Sequence, residues 1–294
     1  MTKFSIAKIR ELREYLSEGR EWLNLLRKYP SFTSTDKELP IPVDFYYSSP
    51  ADENLQTLRK TYDLDKITGQ GSELDKIINL MTWVYLLALH ANEPAIPTDR
   101  NAFSFIHMAK IENKAINCYM KTVILNEVYL SMGFFSRYTH LLPYYKEEES
   151  SHFVTSVFSH TLGKWILMDP DFGVYVKDTK GNILGVSEIR KGLVAGTPMR
   201  AVHTGRSYLK RKKIQIEQFM TKIDYFWFLS AFFFKIRCPK ISKFNQDSDT
   251  NRVQYELIPK NYNDELLFTS KLERGKQIFF INNESMFWEK PLRR

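Results

Sequence analysis

The chain has 294 residues, 43% apolar and 14% aromatic, enough for a sizeable buried core without metal or disulfide staples. Its two cysteines, Cys118 and Cys238, exclude a disulfide scaffold. The formal charge of +8 is a modest excess. The densest basic cluster, Lys210 to Lys213, comes with no recognition motif or stacking-aromatic platform, so no nucleic-acid partner is expected.

The opening run, Met1 to Arg20, is charged throughout and has no apolar stretch of signal-peptide type, so a cytoplasmic location is expected. Ile6, Ile9, Leu12, Leu16, Trp22, Leu23 and Leu26 fall near helical spacing. Residues 28–50 hold four prolines and read as an irregular strap. Residues 1–50 are therefore expected to form a helical arm and strap over the core. Asn54 to Tyr62 predicts a short amphipathic helix. Ser72 to Asp75 has the form of a capping box, opening an apolar helix through Ile77, Ile78, Met81, Val84, Leu87 and Ala88. Asn92 to Asp99 breaks the chain, and Ala102 to Glu112 predicts another helix. Cys118 to Met132 is periodic at Val123, Ile124, Val128 and Leu130. It stops at Gly133, a residue that enters the left-handed region without penalty.

From Arg137 the pattern changes to strands, at Arg137–Leu142, His152–Phe158, Lys164–Met168 and Val174–Lys177. Ser187 to Leu193 predicts a short helix, and Val253–Ile258 and Gln277–Ile281 predict later strands. The most apolar stretch, Tyr225 to Phe234, is too short to span a bilayer and has Asp224 and Lys235 at its ends. It reads as a buried element, and no membrane span is expected. Helices first and strands after predict an α+β fold, with N-terminal helices packed on one side of an antiparallel β-sheet. The expected division is 1–50 as arm and strap, 51–204 as core, and 205–294 as a C-terminal extension packing on or extending the core sheet.

Three side chains stand out chemically. Cys118 sits in the first turn of a helix, where unpaired N–H groups and the dipole favour a thiolate. His152 opens one strand and Asp169 closes the next, and an antiparallel turn brings those two ends together. Trp165, Leu167 and Asp169 share a face by alternation. Each has a plainer alternative. A cysteine can be an inert buried residue. His140 and His160 compete with His152. Asp171, across Pro170 from Asp169, competes with it, and either carboxylate could simply cap the turn. Asn117 is either an N-cap or an amide near a developing oxyanion, with the Cys118 N–H as the other donor. Trp165 is either core or a wall of the substrate site. Cys118, His140, His152 and Asp169 match no zinc spacing, so no metal is expected. Glu147, Glu148 and Glu149, in the loop leading into His152, either steer cationic substrates at the rim of a groove or face bulk water.

The residues around these positions resemble the transglutaminase-like superfamily, whose core has a papain-like Cys-His-Asp arrangement. Asn117 to Arg137 (NCYMKTVILNEVYLSMGFFSR) is similar to the family's cysteine helix, with its closing Gly133 and Arg137. Ser151 to Ser159 (SHFVTSVFS) is similar to its histidine strand. Gly163 to Pro170 (GKWILMDP) is similar to the strand ending in Asp-Pro. Leu74 to His90 is similar to the helix preceding this core in many microbial members. The tail pattern, Tyr225 to Cys238 and then Tyr255 to Pro259, is similar to that of uncharacterised bacterial members. The resemblance covers residues 70–200. It implies Cys118, His152 and Asp169 as a catalytic triad, Asn117 and Trp165 as oxyanion or substrate-binding residues, no cofactor, and a peptide or protein amide substrate. Animal crosslinking members carry Gly-Gln-Cys-Trp where this chain has Ile116-Asn117-Cys118-Tyr119, so hydrolysis is expected over amine transfer. The alternative is a non-catalytic relative that keeps the fold as a binding or scaffold domain.

Overall fold

The N-terminal half builds helices from local signals. In the computed structural model, which describes residues 20–32, 43–145, 151–205, 222–249 and 252–292, residues 20–28 form helix α1 and set Trp22 and Leu26 into the core. The expected helix over 6–19, part of the strap, the Glu147–Glu149 loop and the Lys210–Lys213 cluster lie outside those residues. A two-residue strand, β1 (Tyr46–Tyr47), precedes α2 (Glu53–Thr61), α3 (Leu64–Thr68) and α4 (Glu73–Tyr85). The Asp52 side chain caps α2. At α4, Ser72 Oγ accepts from Asp75 N–H and the Asp75 carboxylate accepts from Ser72 N–H, the reciprocal box its sequence predicts. The helix stops short of Leu87 and Ala88. Beyond it the chain extends so that the backbones of Leu89 and Ala91 bond to Ile116. Then follow α5 (Ala102–Lys110) and α6 (Cys118–Ser131), in which every residue from Met120 on is buried. Gly133, at φ +83°, ends it as a left-handed stop.

Strands β2 (Ser136–Leu142), β3 (His152–Ser159) and β4 (Lys164–Met168) form an antiparallel meander close to the predicted bounds. Next come β5 (Val174–Lys177), α7 (Val186–Ala195), β6 (Arg200–His203), α8 (Lys222–Phe232), β7 (Lys235–Pro239), β8 (Ile241–Ser242), β9 (Arg252–Leu257), β10 (Ser270–Glu273), β11 (Lys276–Ile281) and α9 (Glu284–Phe287). The main sheet runs β10-β11-β9-β7-β2-β3-β4, while β5 leaves the meander to pair with β6.

Two expectations are corrected. The sheet is mixed, because β11 lies parallel to β9. The β10–β11 hairpin turns inward, so its second strand, not its first, meets β9. Helices also lie on both faces. Val157, Ile166 and Met168 pack with α4, α5 and α6, whereas Leu141, Val154 and Leu167 pack with α1, α7 and α8. Strand alternation sends alternate residues to opposite faces, and in β2–β4 both sets are apolar enough to be covered. The apolar run from Tyr225 is the cover on the second face. No helix among the described residues is long and apolar enough to cross a membrane.

Candidate active site

Cys118 is the first residue of α6 and is half-buried. Asn117 caps the helix, its Oδ1 accepting from Met120 N–H at 3.0 Å. His152 opens β3. Because Thr155 pairs with Met168, the start of β3 lies beside the residues just past β4. There His152 Nε2 meets Asp169 Oδ2 at 2.8 Å, with His152 2% exposed and Asp169 0%. The carboxylate is fixed on all sides. Oδ1 accepts from the N–H groups of Asp171 (3.0 Å) and Phe172 (3.1 Å), and Oδ2 also accepts from Tyr225 Oη (3.0 Å).

Burial alone would strip the proton from His152. The charge and hydrogen bond of Asp169 act the other way, as do a hydrogen bond and charge from Cys118, and the ring is pushed up to about 10. The imidazole thus bonds to a carboxylate through Nε2, and Cys118 lies near enough to raise its affinity for the proton. Phe228 and Phe172 wall the ring, with centroids at 5.1 and 5.5 Å.

A second polar cluster adjoins the first. Asp171 Oδ2 lies 2.7 Å from His90 Nδ1, and its Oδ1 lies 3.2 Å from Lys121 Nζ. Lys121 is only 1% exposed, one helical turn on from Cys118. The turn carrying both aspartates closes at Gly173, at φ +62°, where a Cβ would sit 2.6 Å from Tyr85 Cδ1. Only glycine fits that position. The two rival carboxylates thus have separate partners: Asp169 holds His152, and Asp171 holds His90 and Lys121.

The rival histidines lie elsewhere. His140 stacks on Phe153 at 3.9 Å, with Nε2 against Ser151 Oγ at 2.7 Å. Burial, aided by Arg237, Lys276, His152 and Lys235, holds it well below the usual imidazole range. His160 sits exposed in the turn after β3. Trp165 is not brought to the cluster. Its indole N–H donates to Glu289 O at 3.0 Å, and its ring packs on Phe158 and the Arg137 guanidinium. Among the described residues, no three His, Cys, Asp or Glu side chains are grouped to hold a metal ion.

Tyr225, His90 and Lys121 escape sequence reasoning. Two carried a signal. Tyr225 is the residue with a polar tip at the start of the most apolar run, and a buried tyrosine hydroxyl needs a partner. Lys121 is a cation inside a helix whose neighbours are apolar, and a buried cation needs a counter-charge.

Fold and site define an α+β protein in which a cysteine at a helix start meets a buried histidine–aspartate pair. No protein-family model matches the chain, and no curated protein matches it. Among solved structures it is similar to a "Putative Cysteine Protease" from Cytophaga hutchinsonii, at 14% identity and a TM-score of 0.33. That alignment covers 60% of this chain and 56% of the other, and a likeness of this size says nothing by itself about activity.

Proposed function

We propose that the chain is a cysteine-dependent hydrolase, a protease or amidase, that cleaves amide or peptide bonds through a thioester acyl-enzyme on a transglutaminase-like core. The reading rests on the buried 2.8 Å His152–Asp169 pair, with Cys118 at the start of α6 near enough to raise the ring's affinity for its proton. Cys118 Sγ attacks the substrate carbonyl carbon. Its own N–H, at the helix start, has no intrahelical acceptor and is available to the oxyanion. His152 gives its proton to the leaving nitrogen as the C–N bond breaks, which leaves a thioester. Water then attacks the acyl carbon while His152 takes its proton. The C–S bond breaks, releasing the carboxylic acid and restoring the thiol. Asp169 holds the ring in place and balances its charge.

The test is thiol reactivity joined to turnover. Iodoacetamide at neutral pH should modify Cys118 at least about a hundredfold faster than Cys238, a buried thiol. Cys118→Ala should abolish hydrolysis of fluorescently labelled casein without disturbing the fold. Hydrolysis that survives the substitution, or equally slow modification of both cysteines, would sink the proposal.

A further inference from the structure

Residues three and four places on from a helical residue share its face, so Lys121 and Thr122 lie one turn on from Cys118 on the same side of α6. Both are almost wholly buried, at 1% and 0% exposed. Each reaches a neighbour of the histidine–aspartate pair. Thr122 Oγ1 donates to Phe153 O at 3.1 Å, on the residue after His152. Lys121 Nζ lies 3.2 Å from Asp171 Oδ1, two residues past Asp169.

These contacts close a circuit. From Lys121 it runs to the Asp171 carboxylate, and the Asp171 N–H donates to Asp169 Oδ1 at 3.0 Å. Asp169 Oδ2 meets His152 Nε2 at 2.8 Å. The chain then leads from His152 to Phe153 O, and the Thr122 hydroxyl returns the circuit to α6. A helix tied at one point can still swivel or slide on a sheet. Here two adjacent residues of α6 are tied to two different segments, β3 and the turn after β4, which fixes its start against both. The Thr122 tie is neutral, so it can be removed without changing any charge near Cys118.

We propose that Thr122 is a positioning residue: its bond to Phe153 O, together with the Lys121–Asp171 pair, seats the start of α6 so that the Cys118 sulfur meets the His152 ring. The inference rests on Cys118 as the nucleophile, the reading given above, and adds what holds it in place. A nucleophile and its base work only within hydrogen-bond reach, and a shift of about 1 Å can cost on the order of 10² in rate.

The pH profile of iodoacetamide alkylation at Cys118 tests the role. A thiol paired with a protonated imidazole reacts as a thiolate at about pH 6, whereas an unpaired thiol gains that form only near about pH 8.5. Thr122→Val keeps the shape of the side chain and removes the hydroxyl. It should slow alkylation at about pH 6 by at least about tenfold, and leave the rate at about pH 9.5 within about twofold of the wild type. Thr122→Ser keeps the hydroxyl and should keep the wild-type profile. If Thr122→Val does not fold, Thr122→Ala against Thr122→Ser makes the same comparison, since those two side chains differ by the hydroxyl alone. A wild-type profile in Thr122→Val or Thr122→Ala, or a loss in Thr122→Ser as large as theirs, overturns the role of Thr122. A wild-type protein whose alkylation rises only near about pH 8.5 overturns instead the paired nucleophile on which that role rests.

Discussion

His152 keeps its proton because of what surrounds it. An ordinary imidazole titrates near 6.5, and this one is pushed up to about 10, against its burial, by Asp169 and Cys118. The folded state therefore binds this proton more tightly than the unfolded chain does. Its contribution to stability is complete below about pH 6.5 and is lost as pH rises through about 10. Ring resonances of His152 followed by NMR should move near pH 10. In Asp169→Asn they should move at lower pH, and on the proposed reading hydrolysis should be slower by about 10²–10⁴. A wild-type midpoint near 6.5 would contradict the arrangement. Tyr225 supplies the next check. Tyr225→Phe removes one donor from a buried carboxylate and should cost roughly 1.5–3 kcal/mol in urea unfolding. That Cys118 starts a helix, that His152 opens a strand and that Asp169 follows the next was legible in the sequence, because helix starts and strand alternation are local rules. Tyr225 was not, since its partner Asp169 lies 56 positions away and no local pattern joins them.

At the scale of elements, α6 is fastened along its length by polar side chains. Asn126 bonds to Ser242, Glu127 accepts from the N–H groups of Ala102 and Asn245, and Tyr119 donates to Asp247. The Lys121–Asp171 pair is the most demanding of these ties, because both side chains are almost wholly buried. Asp171→Asn leaves the Lys121 cation without its counter-charge and should cost about 3–5 kcal/mol. Adding Lys121→Met should restore much of that loss, since an apolar side chain needs no partner. A double variant no more stable than Asp171→Asn alone would show that the pair is not the source of the loss. Strand directions were less legible than strand positions. The alternation in β9 and β11 reads the same whether they run parallel or antiparallel, so the mixed sheet emerges only from how the β10–β11 hairpin folds back.

Across the whole molecule, contacts between distant segments complete what the central region begins. β7, past residue 205, pairs with β2 and leaves it an inner strand. Arg190, 1% exposed, donates to Phe233 O, Pro30 O and Tyr29 O, which joins α7 to the segment after α1 and to the residue after α8. A fragment of residues 51–204 keeps Cys118, His152 and Asp169 but loses Tyr225, the β7 partner of β2, and all three acceptors of Arg190. It should show no cooperative melting by circular dichroism. A fragment that melts sharply and alkylates at Cys118 like the full chain would refute this dependence.

The Tyr225–Asp169 bond and the β2–β7 pairing also bear on the order of synthesis. A ribosome delivers Cys118, His152 and Asp169 well before Tyr225 and β7. In that interval β2 has an open edge and the Asp169 carboxylate lacks one of its donors. A nascent chain thus carries Cys118 in an unfinished setting. On the proposed reading, cutting power is among the last properties the polypeptide acquires, and the chains growing beside it on the same message are spared.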